Sequence, residues 1–360
     1  MTGNRLAFID WLKCLGMVLI VLGHTGAQNY VDPTPPFNFK QLGVAFFVFV
    51  MGFSLARERR PTPLVLYHRL FEIWLLGWLG ALVLSAISWL TIRDLNESNY
   101  LPLALGANVL FNHFPANPTT WYIGTYFHLL LLWACVLRPI RVRWWMVAAS
   151  AVAEILIRAA LMHAAGGFVA YMLLTNWTTL LLLGMWIGQQ TDVRPSAAAG
   201  AIAAAALAVL AIAWPLTVTR IGLTDGFPFA RLNLPTPALS LLATSAAVTG
   251  LYLACTLLAH RMALQLPESS VVRFFADNTL IVFIAHMPLI YAVTPGLYPL
   301  VPAGPLGLVR MLTNLALFFV LPALCSALIR RLVQPKLLRD WLLNRLTAAW
   351  CGAAVSKSAA

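Results

Sequence analysis

The chain contains 360 residues, of which 61% are hydrophobic and only 10% are charged. A soluble domain of this length cannot hide so much apolar surface, so the composition excludes a soluble protein and predicts an all-α membrane protein. The net charge of +12 does not indicate a nucleic-acid partner, because the basic residues lie in short clusters between apolar runs and not in a patch with interleaved aromatics.

Apolar runs predict ten membrane-spanning helices in a polytopic transmembrane helical bundle. The expected spans lie at about 7–26, 40–56, 70–92, 119–137, 144–164, 168–189, 196–219, 236–259, 274–293 and 306–329. A further apolar stretch at 101–112 is too short to cross, and we expect it to lie on the lipid surface or to re-enter the membrane.

The distribution of basic residues predicts that both termini are cytoplasmic. With this orientation, 17 of the 24 lysines and arginines fall in inside segments, five fall on the outer side, and Lys13 and Arg158 lie inside spans. Residues 331–360 carry leucine and tryptophan at helical spacing with basic residues between them. This pattern predicts a cytoplasmic amphipathic tail on the inner membrane surface.

The first span, "FIDWLKCLGMVLIVLGH" at residues 8–24, carries three polar groups. Lys13 and His24 are eleven residues apart, so they lie on one helical stripe about 16 Å apart along the axis, and Asp10 lies within about 60° of both. A charge at the bilayer centre costs about 3 kcal/mol, so this stripe should face protein or water. Local alternatives are an Asp10–Lys13 pair with Lys13 reaching the interface, and an interfacial His24. Together the three groups predict a polar channel from the inner face to the outer face.

Three polar residues in later spans are further candidates. Glu154 and Arg158 are four residues apart in the fifth span, so they can form an ion pair that is either structural or acceptor-binding. His286 lies toward the outer half of the ninth span. It is predicted either to lie beside His24, where it would orient His24 or the acceptor, or to have a structural role.

Aromatic and polar side chains near the start of the fourth span form another candidate group. Trp121, Thr125 and His128 share one face of this helix, and Tyr122 follows Trp121 directly. A platform for a sugar ring is one interpretation, and a belt of aromatics at the membrane interface is the alternative for Trp121.

Four motifs in order resemble those of the integral-membrane acyltransferase 3 family. "IDWLKCLGMVLIVLGH" (9–24) resembles its first-helix signature, in which a basic residue and a histidine are separated by ten residues, as are Lys13 and His24. "FFVFVMGFSLARERR" (46–60) resembles the second-helix pattern, "TTWYIGTYFHLLLLW" (119–133) a later helix start, and "NTLIVFIAHMPLIY" (278–291) a late helix that ends in His-x-Pro. The resemblance covers about 12–330.

The resemblance implies an enzyme that transfers an acyl group, usually acetyl, from cytosolic acyl-CoA to a sugar hydroxyl at the outer side. Residues 1–330 would form its membrane domain, in a bacterial inner membrane. The implied partners are membrane lipid and a glycan acceptor, which is a lipid-linked oligosaccharide or an exopolysaccharide. No metal is expected, because the five cysteines are scattered and no metal-ligand spacing occurs.

The chemistry suggests roles for particular residues. A hydroxyl that attacks a thioester needs a base near neutral pH, and histidine is suited to this, so His24 is predicted to act as the base with Asp10 and Lys13 in the catalytic set. A transient acyl-imidazole on His24 is the alternative. The phosphates of CoA require a basic vestibule, for which the candidates are Lys13, Arg57, Arg59, Arg60 and Arg69.

The sequence departs from the family pattern at three positions. Lysine stands at position 13, where the family often has arginine. A branch of the family that has lysine at this position resembles fucose O-acetylases and exopolysaccharide acetyltransferases. Met51 replaces the usual serine, and an Arg-x-x-Arg pattern is reduced to Arg69 followed by Glu72. Lysine binds anions as a point charge, whereas arginine binds them through two parallel hydrogen bonds, so donor binding should differ in detail.

Two other function classes fit parts of the sequence. Ten spans with buried ionisable residues are also typical of a proton-coupled secondary transporter or a flippase, although such carriers usually show internal repeats, and none is visible here. A non-catalytic scaffold gives no reason for the stripe of Lys13 and His24.

Overall fold

The computed structural model describes residues 6–25, 39–92, 101–111, 120–193, 196–217, 234–297 and 307–358. The protein is all-helical, with 87% helix and no strand among the described residues. Its core is continuous across the bundle and is built mainly from leucine, valine, methionine and aromatic side chains.

Helical segments occur at each of the ten predicted spans. We number them α1 (Ala7–His24), α2 (Phe39–Ala56), α3 (Thr62–Ile92), α4 (Trp121–Leu132), α5 (Trp144–Ala164), α6 (Thr178–Gly188), α7 (Ala197–Thr217), α8 (Pro237–Ala263), α9 (Ser270–Leu297) and α10 (Gly307–Leu315, Ala316–Val320 and Leu321–Val333). The tail forms α11 (Pro335–Ser358). Helix α4 continues into a π-helical turn at Trp133–Leu137, and the middle section of α10 is also π-helical.

Five helical stretches among the described residues are long and apolar enough to cross a membrane by length and composition. They are α1, α5, α8, α9 and the stretch Gly307–Arg345. The protein is therefore a multi-pass membrane protein, whereas the full count of ten crossings and the cytoplasmic position of both ends stay predictions.

The third helix begins at Thr62, eight residues earlier than expected. Pro63 is compatible with a first helical turn, where its missing N–H is not needed. The Arg138 guanidinium holds this start by donating to the Thr62 hydroxyl and to the Arg60 carbonyl oxygen.

The predicted sixth span is broken. A short helix at Gly167–Met172 is followed by a single 3-10 turn at Leu174–Asn176 and then by α6. Side chains from another helix and from the segment itself bond to the backbone groups that the break releases. Thr125 of α4 donates to the Met172 carbonyl at 2.5 Å, and Trp177 Nε1 donates to the Tyr171 carbonyl at 2.9 Å. Irregular backbone at membrane depth needs such partners.

The stretch at 101–112 also differs from a single surface helix. Its described part forms two short helices, Leu101–Ala104 and Asn108–Phe111, joined through Gly106 with φ 66°. Leu103 and Asn108 are fully buried, and the Asn108 amide donates to the Thr120 carbonyl at 2.9 Å. This segment therefore packs against the start of α4.

Helices α1, α2 and α6 form the closest-packed part of the bundle. Glycine allows this approach, since a Cβ on Gly52 of α2 would overlap the Leu181 carbonyl, and a Cβ on Gly184 of α6 would overlap the Phe49 carbonyl. Small residues bring membrane helices together in this way. Helix α9 packs against α1 on another side, so α1 lies inside the bundle.

Candidate active site

Two pockets of unequal size open toward opposite ends of α1. The first, which we call the Lys13 pocket, has a volume of about 750 Å³ and lies near the end of α2, the start of α3 and the end of α10. The second, the His24 pocket, has a volume of about 160 Å³ and lies where α1 ends and α2 begins. Only the larger volume lies in the range typical of pockets that hold cofactor-sized ligands.

Cations dominate the polar lining of the Lys13 pocket. Four basic side chains and two carboxylates line it, namely Lys13, Arg69, Arg330, Lys336, Glu72 and Asp277. Arg330 forms an ion pair with Glu72 at 2.5 Å and donates to the Asp277 carbonyl oxygen at 3.0 Å. Because the cations outnumber the carboxylates, the pocket favours an anionic ligand.

Two arginines of the Lys13 pocket retain unused hydrogen-bonding capacity. The Nε atoms of Arg69 and Arg330 are buried and have no hydrogen-bond partner among the residues that the structure describes. A buried N–H without a partner costs free energy, so an oxygen-rich ligand that reached these atoms would gain by accepting from them.

The His24 pocket is mostly aromatic and aliphatic. Its titratable lining residues include His24 and Lys40 at the start of α2, and Trp121, Tyr171 and Tyr291 provide aromatic surface. The rings of Trp121 and Tyr171 contact each other at a tilt of 51°, with centroids 4.9 Å apart. The pocket offers one imidazole and one ammonium group in an apolar surrounding.

His24 contacts a second histidine, His286 of α9, as the sequence suggested. A hydrogen bond connects the two rings, with a distance of 3.1 Å between His286 Nε2 and His24 Nδ1. The His286 side chain is fully buried. The other nitrogen of His286, Nδ1, lies 2.8 Å from the Phe283 carbonyl and 3.1 Å from the Val282 carbonyl.

These contacts fix the tautomers of the neutral histidine pair. A carbonyl oxygen can only accept, so Nδ1 of His286 carries the proton and Nε2 of His286 must be the acceptor. His24 therefore donates through Nδ1, which leaves the lone pair on Nε2 of His24. This arrangement gives His24 a nitrogen that can take a proton.

Aromatic side chains separate the two pockets. Phe283 of α9 lines both of them, and Tyr122 of the Lys13 pocket packs against it with ring centroids 5.3 Å apart. The neighbouring residues Trp121 and Tyr122 contribute to different pockets, because consecutive helical residues point about 100° apart. The predicted polar channel is thus two pockets that meet at Phe283.

The three polar residues of the first helix, Asp10, Lys13 and His24, lie in three different environments. Lys13 and His24 each line a pocket, whereas Asp10 lines neither of these two. Asp10 is 4% exposed and lies 3.9 Å from the Arg273 guanidinium of α9. Its position favours a role in packing α1 against α9.

Three of the predicted donor-binding arginines do not line the Lys13 pocket. Arg57 donates to the Gly188 carbonyl at 3.0 Å and covers the Phe53 ring, and Arg59 is exposed. Arg60 forms an ion pair with Glu58 at 2.6 Å, and this hydrogen-bonded contact lowers the pKa of Glu58 to about 2. Only Arg69 of the four arginines lines the pocket.

The Glu154–Arg158 pair is present as predicted and is closed off from both pockets. Arg158 is 1% exposed and donates to Asn176, to Glu154 and to the hydroxyl of Thr249, while Glu154 accepts from the backbone N–H of Thr179. The Ser245 carbonyl accepts a further bond from Arg158. The pair joins α5, the broken segment before α6, and α8.

The other predicted acceptor residues differ in position. Trp121 lines the His24 pocket and Tyr122 lines the Lys13 pocket, whereas His128 lines neither and packs beside Phe127 with a hydrogen bond to the Gly106 backbone. Among the remaining histidines, His260 is fully buried, with its ring in contact with the Phe8 and Phe49 rings.

Other residues that line the pockets had no assigned role in the sequence. Among them are Lys40 in the His24 pocket, Phe283 in both, and Arg330 and Lys336 in the Lys13 pocket. The positive charge of Lys40, Arg330 and Lys336 was visible, but it was assigned to topology. Phe283 lies three residues before His286, a spacing that places it on the same side of a helix.

Comparison with known protein families gave one match. A family model described as an acyltransferase domain matches residues 6–331. A search of curated proteins found no match. The matched region includes both pockets except for Lys336.

Proposed function

The chain belongs to the acyltransferase 3 family, and from this premise we propose that it moves an acyl group, acetyl in the simplest case, from cytosolic acyl-CoA to a glycan hydroxyl on the other side of a bacterial inner membrane. The observation that carries this proposal is the His24–His286 pair, which leaves Nε2 of His24 available in a pocket adjoining a separate cation-lined pocket. The family match favours this function over the carrier that the sequence also allowed.

The Lys13 pocket is the proposed binding site of the donor. Its volume of about 750 Å³ suits a cofactor-sized molecule, and its cations suit the phosphates of CoA. The acyl thioester end would lie against Phe283, which forms part of both pockets. With this orientation the phosphates stay near the predicted cytoplasmic end and the reacting carbonyl approaches His24.

The proposed reaction is a direct transfer. Nε2 of His24 takes the proton of the acceptor hydroxyl while the hydroxyl oxygen forms a bond to the thioester carbonyl carbon. The carbon–sulfur bond then breaks, the ester leaves with the glycan, and the thiolate of CoA receives the proton from His24. His286 is a positioning residue, because its Nε2 accepts from Nδ1 of His24 and so keeps the base in the required tautomer.

When protonated, Lys40 places a positive charge in the His24 pocket near the reacting carbonyl. The tetrahedral intermediate carries a negative oxygen, and a cation in an apolar pocket stabilises such an oxygen more than it would in water. The aromatic side chains Trp121 and Tyr171 offer flat apolar surface beside His24, which suits the face of a sugar ring. The acceptor is therefore proposed to be a lipid-linked oligosaccharide or an exopolysaccharide unit.

A transfer assay tests the proposal. Membranes that contain the wild-type protein, His24→Ala or His163→Ala are given acetyl-CoA labelled in the acetyl group together with a lipid-linked oligosaccharide fraction. We expect labelled glycan with the wild type and a loss of about 10²- to 10⁴-fold with His24→Ala, which is the contribution typical of a general base.

His163→Ala is the matched control, because His163 is an exposed histidine at the end of α5. It should keep the wild-type rate. Undiminished transfer by His24→Ala would remove His24 as the base, and the absence of any transfer from acyl-CoA by the wild type, in the presence of acceptor, would contradict the proposed function.

A further inference from the structure

The tail helix turns back over the Lys13 pocket. Gln334, between α10 and α11, has a left-handed backbone with φ 45°, which is uncommon for a residue other than glycine. After this turn α11 packs against α3, where the Tyr67 hydroxyl donates to the Arg339 carbonyl at 2.7 Å. Lys336, two residues after the turn, consequently lines the pocket.

We propose that Lys336 of the tail, together with Arg330 and Arg69, binds a phosphate group of the acyl-CoA donor at the mouth of the Lys13 pocket. This inference rests on the proposed function and assigns a part of the donor site to a segment outside the family match, which ends at residue 331. The tail is then a working part of the site and not only a surface anchor.

Charge supports this assignment. The family pattern has a second arginine at the third helix, and here Glu72 takes that position, which by itself would weaken anion binding. Arg330 from α10 forms an ion pair with Glu72 and cancels this negative charge. The other charged side chains of the pocket are the cations Lys13, Arg69 and Lys336 and the carboxylate of Asp277, so Lys336 adds positive charge that the third helix lacks.

The chemistry of the remaining donors favours phosphate. Arg69 and Arg330 each have a buried Nε–H without a partner in the described part of the chain, and Lys336 adds a mobile ammonium group. Phosphate oxygens accept from several such donors at once, whereas the pantetheine arm of the donor carries no charge. Lys336 should therefore distinguish CoA from pantetheine.

The experiment measures binding of CoA and of pantetheine to the full-length protein in phosphatidylcholine nanodiscs by calorimetry. It compares the wild type with Lys336→Ala and Lys336→Glu. We expect the Kd of CoA to rise about threefold to tenfold in Lys336→Ala and further in Lys336→Glu, because an exposed charge contact contributes about 1 kcal/mol or slightly more. The Kd of pantetheine should stay the same.

Arg345→Ala provides the matched control. Arg345 is a cation on the same helix, but it is exposed and lies over the Trp341 ring and not at the pocket. It should bind both ligands as the wild type does. Gln334→Gly keeps the left-handed turn without strain and should also leave the Kd of CoA unchanged, which tests that the turn only positions the tail.

Each outcome decides the proposal. A selective rise in the Kd of CoA in the Lys336 variants supports it. Equal binding of CoA by the wild type and Lys336→Glu overturns it and leaves the proposed function intact. A shift of both ligands alike would assign Lys336 to the structure of the tail or to a lipid phosphate, and this also overturns it. A wild type that does not bind CoA overturns the proposed function and this inference together.

Discussion

The two pockets differ in the kind of work that their side chains can do. The Lys13 pocket is large and lined by cations from four helices, whereas the His24 pocket is small and apolar, with one histidine pair and one lysine. The first can hold a large anion. The second can move a proton but has no room for a nucleotide.

This difference explains how one bundle can separate recognition from chemistry. Helices α1, α2 and α9 contribute to both pockets, and Phe283 is common to them. Binding energy gained on the phosphates can thus position a thioester in the His24 pocket while the phosphate-binding cations stay in the Lys13 pocket. Changes to each pocket should therefore affect different kinetic constants.

The largest effect is expected outside both pockets, in the Glu154–Arg158 network. Arg158→Met leaves the Glu154 carboxylate buried among groups that no longer neutralise it, so folding should lose about 3–5 kcal/mol. The double variant Glu154→Leu/Arg158→Met removes both charges and should recover much of this loss. Thermal unfolding in detergent measures it, and a stable Arg158→Met protein with a raised acceptor KM would make the network a third binding region.

The next largest effect is expected at His286. His286→Ala removes the acceptor that holds the tautomer of His24, so kcat should fall by about 100-fold while the KM of acyl-CoA stays unchanged. His286→Gln restores a side-chain acceptor and should recover part of kcat. An equal change in kcat for both variants, or a change confined to the donor KM, would contradict the separation of the two pockets.

Much of this arrangement was predictable from the sequence, because it depends on local patterns. Apolar runs located the helical segments, and the spacing of Lys13 and His24 placed both on one side of α1. The contact of His286 with His24 was one of the two alternatives that the sequence left open for His286. Local spacing was enough for the helices and for the shared side of Lys13 and His24, but not for the contact between His24 and His286.

Other features depend on contacts between distant residues, which a single sequence does not reveal. The break before α6 is stabilised by Thr125 of α4, which is 47 residues away from Met172 in the sequence, so this contact is not visible in the local pattern. The arginines after α2 looked equivalent, but Arg60 pairs with Glu58 whereas Arg69 lines a pocket. The position of Lys336 follows from a left-handed Gln334, a conformation that glutamine rarely adopts.

Variants of Lys13 test the proposed role of the Lys13 pocket in donor binding. Lys13→Met should raise the KM of acyl-CoA by about 10- to 30-fold, because it removes a charged contact in a partly buried pocket, and kcat should change little. Lys13→Arg keeps the charge and should stay within a few-fold of the wild type. Steady-state kinetics with varied donor separates the constants, and equal KM values for both variants would show that the charge has no role.

A packing change in α2 should affect both pockets together. Gly52→Ala would push α2 away from the Leu181 carbonyl of α6 and cost about 1–3 kcal/mol, the range typical of overpacking. Gly250→Ala of α8 is the control, since a Cβ there meets no atom within 4 Å and should be neutral or slightly stabilising. Melting temperatures compare the two, and a selective effect of Gly52→Ala on one kinetic constant would contradict the shared role of α2.

The smallest effect on donor binding is expected at Arg60, which pairs with Glu58 and does not line the Lys13 pocket. It can be compared with Arg69, which does line the pocket. The pKa of Glu58 is lowered from its usual value near 4.5 to about 2, so the pair stays ionised above pH 5, and its contribution to stability is lost only as the pH falls toward 2. Because Arg60 is 44% exposed, that contribution is below about 1 kcal/mol.

Arg60→Ala should change the KM of acyl-CoA less than about twofold at any pH from 5 to 8, whereas Arg69→Ala should raise it by about tenfold. Similar KM values for the two variants would mean that the donor also contacts the surface arginines between α2 and α3. The Lys13 pocket would then not be the separate donor site that we propose.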